Sequence, residues 1–82
     1  MKRDSEERYI DNVIADIEAD LGASVIEIND GPNAVEIIFD NAQAYYEYDF
    51  EEVAMDVEGY GSIRSVEAHE VESYVVSLII HW

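Results

Sequence analysis

Cysteine and threonine are absent from this chain, proline occurs once, and only four of the 82 residues are Lys or Arg. Without thiols there is no disulfide framework and no thiolate metal site, so the redox compartment stays open. So few cations exclude direct binding to DNA, RNA or an anionic membrane, because all three are held through Lys and Arg. A nucleophilic triad needs a hydroxyl or thiol beside a base. The only histidines are His69 and His81, and no Gly-x-Ser-x-Gly elbow occurs. His69 reads as an exposed turn or strand residue and His81 as a strand end, so no enzymatic activity is expected. Long apolar runs are missing too. Tyr74 to Ile80 is the longest, is broken by Ser77, and falls far short of the ~20 residues of a membrane span. Met1-Lys2-Arg3 is followed by Asp4-Ser5-Glu6-Glu7 where a signal peptide would be apolar. A cytoplasmic protein is the expectation.

What the chain does have is acid. Twenty Asp or Glu give a formal net charge of -16, on a composition that is 49% hydrophobic and 11% aromatic. That apolar content is too high for disorder driven by lack of buriable surface. A domain of this length buries roughly 60% of the surface its unfolded chain exposes, which leaves room for a single core. The expected organisation is one acidic domain over residues 1–82.

Periodicity suggests an α+β fold of order α-β-β-β-α-β-β, an antiparallel sheet with two helices on one face. Ile10, Val13, Ile14, Ile17 and Leu21 form one helical stripe. Asp4 or Ser5 is placed to cap its start and Gly22 to end it. Like-charge pairs one turn apart, Glu7 with Asp11 and Asp16 with Asp20, oppose this helix. The period then becomes two over Ser24 to Asn29 and Ala34 to Asp40, with turn formers Asn29 to Asn33 between them. Asp40-Asn41 suggests a second turn into a third strand, Ala42 to Tyr48. This register puts Ile26, Ile28, Val35, Ile37, Phe39, Ala44, Tyr46 and Tyr48 on the core face. Glu27, Glu36, Ile38, Tyr45 and Glu47 take the other, with Glu27 directly opposite Glu36. A second helix opens at Asp49, with Phe50, Val53, Ala54 and Val57 inward, and ends at Gly59 and Gly61. Ser62 to Ala68 and Ser73 to His81 read as closing strands, the last suited to the sheet centre.

Motifs for bound groups are weak. Asn29-Asp30-Gly31-Pro32-Asn33 lacks the Asp-x-Asp-x-Asp-Gly order of a calcium loop and reads as a hairpin turn. Gly59-Tyr60-Gly61 is too short for a phosphate cradle and stands among acids. With twenty carboxylates on a small body, close pairs arise by geometry alone and do not indicate acid-base catalysis. Neither a cofactor nor a metal is expected.

The unexplained feature is charge without chemistry. Carboxylates two apart on a strand lie about 6.6 Å from each other, and four apart on a helix about 6 Å. Rows of that spacing can enter a groove built for phosphates, with steered association gained and self-repulsion incurred. In size, charge and acidic edges such as Tyr45-Tyr46-Glu47-Tyr48-Asp49-Phe50-Glu51-Glu52, the chain resembles the small acidic DNA-mimic inhibitors made by phages, the anti-CRISPR and anti-restriction proteins. The resemblance implies an inhibitor in the host cytoplasm, monomeric or homodimeric, that blocks the basic DNA- or RNA-binding groove of a CRISPR effector or restriction enzyme. The candidate contacts are Glu27, Glu36, Tyr45 and Glu47 on the sheet with Glu51, Glu52 and Asp56 on the second helix. Asp11 and Glu18 on the first helix stand in reserve, and the apolar last strand ending in Trp82 is a possible dimer edge. Two other readings fit the same charge: a salt-adapted binding domain, and an acidic antitoxin or regulatory partner of a basic protein.

Overall fold

The computed structural model describes residues 4–42 and 47–82. Helix α1 (Asp4–Leu21) leads into strands β1 (Ser24–Asp30) and β2 (Ala34–Asp40), then helix α2 (Glu47–Asp56), a 3-10 turn at Tyr60–Ser62, and strands β3 (Ser65–Glu72) and β4 (Val75–His81). The four strands form one antiparallel sheet in the order β1-β2-β4-β3. The fold is α+β, as the periodicity implies.

Both helices lie on one face of this sheet. From α1 come Tyr9, Ile10, Val13 and Ile17, and from α2 Phe50 and Ala54, all buried against Val35, Ile37 and Phe39 of β2 and Val76, Leu78 and Ile80 of β4. The register pairs Val35 with Ile80, Ile37 with Leu78 and Phe39 with Val76, so the two central strands present one continuous apolar face. Phe39 meets Phe50 with ring centroids 5.6 Å apart and planes inclined at 48°, a tilted contact that brings α2 onto the sheet. The predicted stripe of α1 is therefore the buried one, with Tyr9 added to it. Gly22 ends that helix with φ 69°, a left-handed residue that glycine adopts without a Cβ clash.

The expected third strand is replaced at its end by helix. Glu47 and Tyr48 open α2 two residues before Asp49, and residues 43–46 lie outside the described part of the chain. Three tyrosines favour a strand locally, but Phe50, Val53, Ala54 and Val57 repeat at helical spacing. Asp49 in the first turn also complements the positive end of the helix dipole. The hairpin register is shifted by two as well. Asp30 pairs with Val35 around a turn closed by the Gly31 N–H to the Ala34 carbonyl (2.8 Å), so Glu27 faces Ile38 and Asn29 faces Glu36. Because the shift is even, residues 27–30 keep their faces. A bulge between Val25 and Glu27 displaces Ile26, which is 57% exposed rather than in the core. Ile28 keeps its expected face, moved from opposite Val35 to opposite Ile37, but is 48% exposed.

At the other end, β3 runs on to Glu72, and Ser73 and Tyr74 make the turn into β4. Tyr74 takes φ 65° there, and Asn41 takes φ 62° at the end of β2. A left-handed Asn is common, whereas a left-handed Tyr is a strained choice. The Tyr74 carbonyl accepts a hydrogen bond from the Ala42 N–H at 2.9 Å, which ties the tip to the chain after β2. The last strand, expected as a dimer edge, is enclosed between β2 and β3, so the edges are β1 and β3. No helix among the described residues is long and apolar enough to cross a membrane.

Tyr9 is a polar side chain that reaches from α1 to α2 within the helical layer. It is 1% exposed, and its hydroxyl donates to the Ala54 carbonyl at 2.8 Å. Burial, and then the neighbouring Tyr60, push its pKa well above the ordinary tyrosine value. Removing the hydroxyl in Tyr9→Phe leaves the Ala54 carbonyl with only its long 3.4 Å bond from the Val57 N–H, at a cost of about 1 kcal/mol, or a melting point lower by about 4–8 °C per kcal/mol at this size. The pH dependence has a definite sign. The unfolded tyrosine ionises near pH 10 and the folded one only above that, so the stabilising contribution is complete below pH 10. It is lost as pH climbs from there towards the folded value, because the unfolded state then binds fewer protons. Thermal melts from pH 7 to 11 should show Tyr9→Phe less stable than the parent at neutral pH, with the gap closing above pH 10. A gap that is constant or widens contradicts this role.

Candidate interaction surface

The sequence-predicted contacts fall on two layers. Glu27 and Glu36 share the open face of the sheet, the side away from the helices, whereas Glu51, Glu52 and Asp56 belong to α2 on the helical side. Glu47 is the first residue of α2 and so joins the helical layer instead of the sheet face. Tyr45 lies outside the described residues. Glu27 and Glu36 therefore do not share one continuous patch with Glu51, Glu52 and Asp56.

Cross-strand rows order the open face. One row runs Asn29, Glu36, Ile79, Glu67, and the next Glu27, Ile38, Ser77, His69. Glu36 and Glu67 thus stand two strands apart, about 9.6 Å. Glu27 is diagonal to Glu36 rather than opposite it, and Asn29 relieves the like charge between them. Its Nδ2 donates to Glu27 Oε2 at 2.7 Å and to Glu36 Oε1 at 3.1 Å. The other Glu36 oxygen accepts the hydroxyl of Ser77, which is 3% exposed. Glu36 is thereby a structural carboxylate: it closes the hydrogen bonding of the buried Ser77 hydroxyl.

Glu67, His69 and His81 complete this face, and sequence reasoning did not group them. His69 Nε2 lies 3.3 Å from one Glu67 oxygen and His81 Nε2 3.9 Å from the other. The alternation of Ser65, Glu67 and His69 was available in the sequence, but the pairing of Glu67 with Ile79 that brings it near His81 depends on strand register. Among the described residues no group of three or more His, Asp or Glu is arranged to hold a metal ion.

On the helical layer Glu51 is also engaged. Its Oε2 accepts the Ala68 N–H of β3 at 2.9 Å, so this carboxylate covers an edge amide of the sheet. Glu52 and Asp56 are exposed one turn apart on α2, as are Glu7, Asp11, Asp16, Glu18 and Asp20 along α1. Neither helix has a basic residue in its last turn, where a cation would complement the dipole. Asp20 and Asp56 sit there instead, which is unfavourable to each helix by itself. No protein-family model and no curated protein sequence matches this chain.

The division between structural and outward carboxylates has a measurable consequence. Glu36→Ala leaves the Ser77 hydroxyl without its acceptor and should cost about 1–3 kcal/mol. Glu27→Ala, at an exposed position, should stay within about 0.5 kcal/mol of the parent. Urea unfolding of the two variants checks this, and equal losses would contradict the separate roles.

Proposed function

We propose that this protein is a nucleic-acid-mimic inhibitor, whose exposed carboxylates occupy the basic DNA- or RNA-binding groove of a target of the CRISPR-effector or restriction-enzyme class. What supports the reading is acid held on two rigid helices, which carry a single cation between them, Arg8. Glu52 and Asp56 are exposed at i, i+4 on α2, and Asp11 and Glu18 at i, i+7 on α1, separations of about 6 and 10.5 Å along the helix axes. Both helices are fixed by the same buried core, so their charges hold their positions without ordering a flexible segment. Glu27 adds an exposed carboxylate on the open sheet face. Glu36 and Glu51, occupied by Ser77, Asn29 and Ala68, act by holding the frame.

The experiment is capture of proteins from a bacterial lysate on the immobilised chain at moderate salt, followed by elution with duplex DNA or with RNA. A basic nucleic-acid-binding protein that is retained and released by one of the two polymers is the expected result. Retention that neither polymer reverses, or no specific retention, contradicts nucleic-acid mimicry.

A further inference from the structure

The sheet is covered on one side. Both helices pack on the face formed by Val35, Ile37, Phe39, Val76, Leu78 and Ile80, and no other element among the described residues lies over the opposite face. On that opposite face Ile38, Val75 and Ile79 are partly exposed and stand apart from the buried core. Ile38 is in line with Ser77 and Ile79 with Glu36, so the two isoleucines are diagonal neighbours across β2 and β4, close enough to make one apolar surface. Carboxylates flank this surface on both sides. Glu36 is beside Ile79 on β2 and Glu67 is beside it on β3, while Glu27 is beside Ile38 on β1. Asn29 and Ser77, which hold Glu36, are neutral donors, so they fix its position without supplying a positive charge.

We infer that this open face is a docking site for a basic amphipathic helix of a partner protein, lying along β4 with its apolar stripe on Ile38 and Ile79. The inference goes beyond the proposed function: it concerns the side of the molecule away from α1 and α2, and it holds whether or not that partner binds nucleic acid. Glu36 and Glu67 stand two strands apart, about 9.6 Å, and a helix with its side chains is about 10–12 Å across. Lys or Arg on each flank of such a helix therefore comes over one of the two carboxylates. Apolar residues between the flanks, at i, i+3, i+4 and i+7, cover Ile38, Ile79 and Val75 as the stripe of α1 covers the other face. Charge selects the occupant. His69 and His81 adjoin the two Glu67 oxygens, but no strand carries a Lys or Arg. An acidic or neutral helix would leave Glu27, Glu36 and Glu67 covered without a cation, which is costly. A second copy of this chain would bring two bodies of formal charge -16 together, with Glu36 and Glu67 near their own counterparts. The same charge attracts a basic helix from a distance.

The test is an NMR titration of the full chain, read at its amides and isoleucine methyls, with a capped peptide of about 14 residues that sets Leu on one helical face and Lys on both flanks. As a helix it is roughly 21 Å long, close to the roughly 23 Å of a seven-residue strand such as β4. A second peptide of the same composition is scrambled so that no apolar stripe forms. The expected result at low salt is perturbation centred on Ile38, Ile79 and their neighbours, with binding of the scrambled peptide at least tenfold weaker. Ile79→Lys should weaken the ordered peptide to a similar degree, and Glu67→Gln by about two- to fivefold, the measure of one exposed ion pair. Glu52→Gln, on the other side of the molecule, should change it less than twofold. Should Ile79→Lys fail to fold, the two peptides on the parent chain still decide. Equal affinity for both peptides, with perturbations spread over the acids of α1 and α2, would overturn the inference in favour of diffuse charge attraction, and absence of binding would overturn it outright. Concentration-dependent shifts at Ile38 and Ile79 without peptide would overturn it in favour of self-association. Because neither nucleic acid nor a nucleic-acid-binding protein is present, every outcome here leaves the DNA- and RNA-release experiment to decide the proposed function independently.

Discussion

Repulsion among carboxylates is the constraint to which the rest of the structure answers. A formal charge of -16 on 82 residues leaves folding to one apolar interface, the contact of α1 and α2 with the central strands β2 and β4. Phe39 against Phe50 fastens α2 to the sheet, and the buried Tyr9 hydroxyl on the Ala54 carbonyl fastens α1 to α2. Polar side chains are almost excluded from that interior. The Tyr9 hydroxyl lies there with its hydrogen bond made, and the buried Ser77 sits on the open face under Glu36 rather than between the layers. The frame opposes the charge by burial and by a few well-placed hydrogen bonds.

The carboxylates do not all serve alike. Glu36 and Glu51 are fixed by hydrogen bonds to the sheet, one on its open face and one at the β3 edge. Glu52, Asp56, Asp11 and Glu18 point outward on helices whose one cation is Arg8, three residues before Asp11, and the acidic last turns of both helices work against the helix dipoles. Charge kept where it destabilises its own element is what an electrostatic contact surface requires, and a surface optimised for stability alone would not carry it.

Much of this was legible before the structure. The α1 stripe of Ile10, Val13, Ile14 and Ile17, its stop at Gly22, the β1–β2 hairpin and the central place of β4 all follow from local period and turn chemistry. What was not legible depends on tertiary choice. The Tyr-rich segment before α2 has strand propensity, yet the helical spacing of Phe50, Val53 and Ala54 draws Glu47 and Tyr48 into the helix. A turn at Ser73 and Tyr74 contains no glycine, so its position has no sequence signal. The register shift of two in the hairpin keeps faces but changes neighbours, and it turns an expected Glu27–Glu36 clash into a bridge through Asn29. The roles of Glu36 and Glu51 are invisible in sequence because their partners, Ser77 and Ala68, are distant along the chain and reached only through the sheet.

The central claim is that the outward acids of the helical layer are retained for a partner at the expense of the free protein's stability. Neutralising four of them together, Asp11→Asn, Glu18→Gln, Glu52→Gln and Asp56→Asn, changes charge with little change of shape. The decisive measurement is the thermal midpoint of this variant at low salt, taken beside its affinity for the protein captured by the parent. The account predicts a higher midpoint, by a few tenths of a kcal/mol for each relieved like-charge contact, together with loss of most of the affinity. An unchanged or lower midpoint with affinity intact would contradict it.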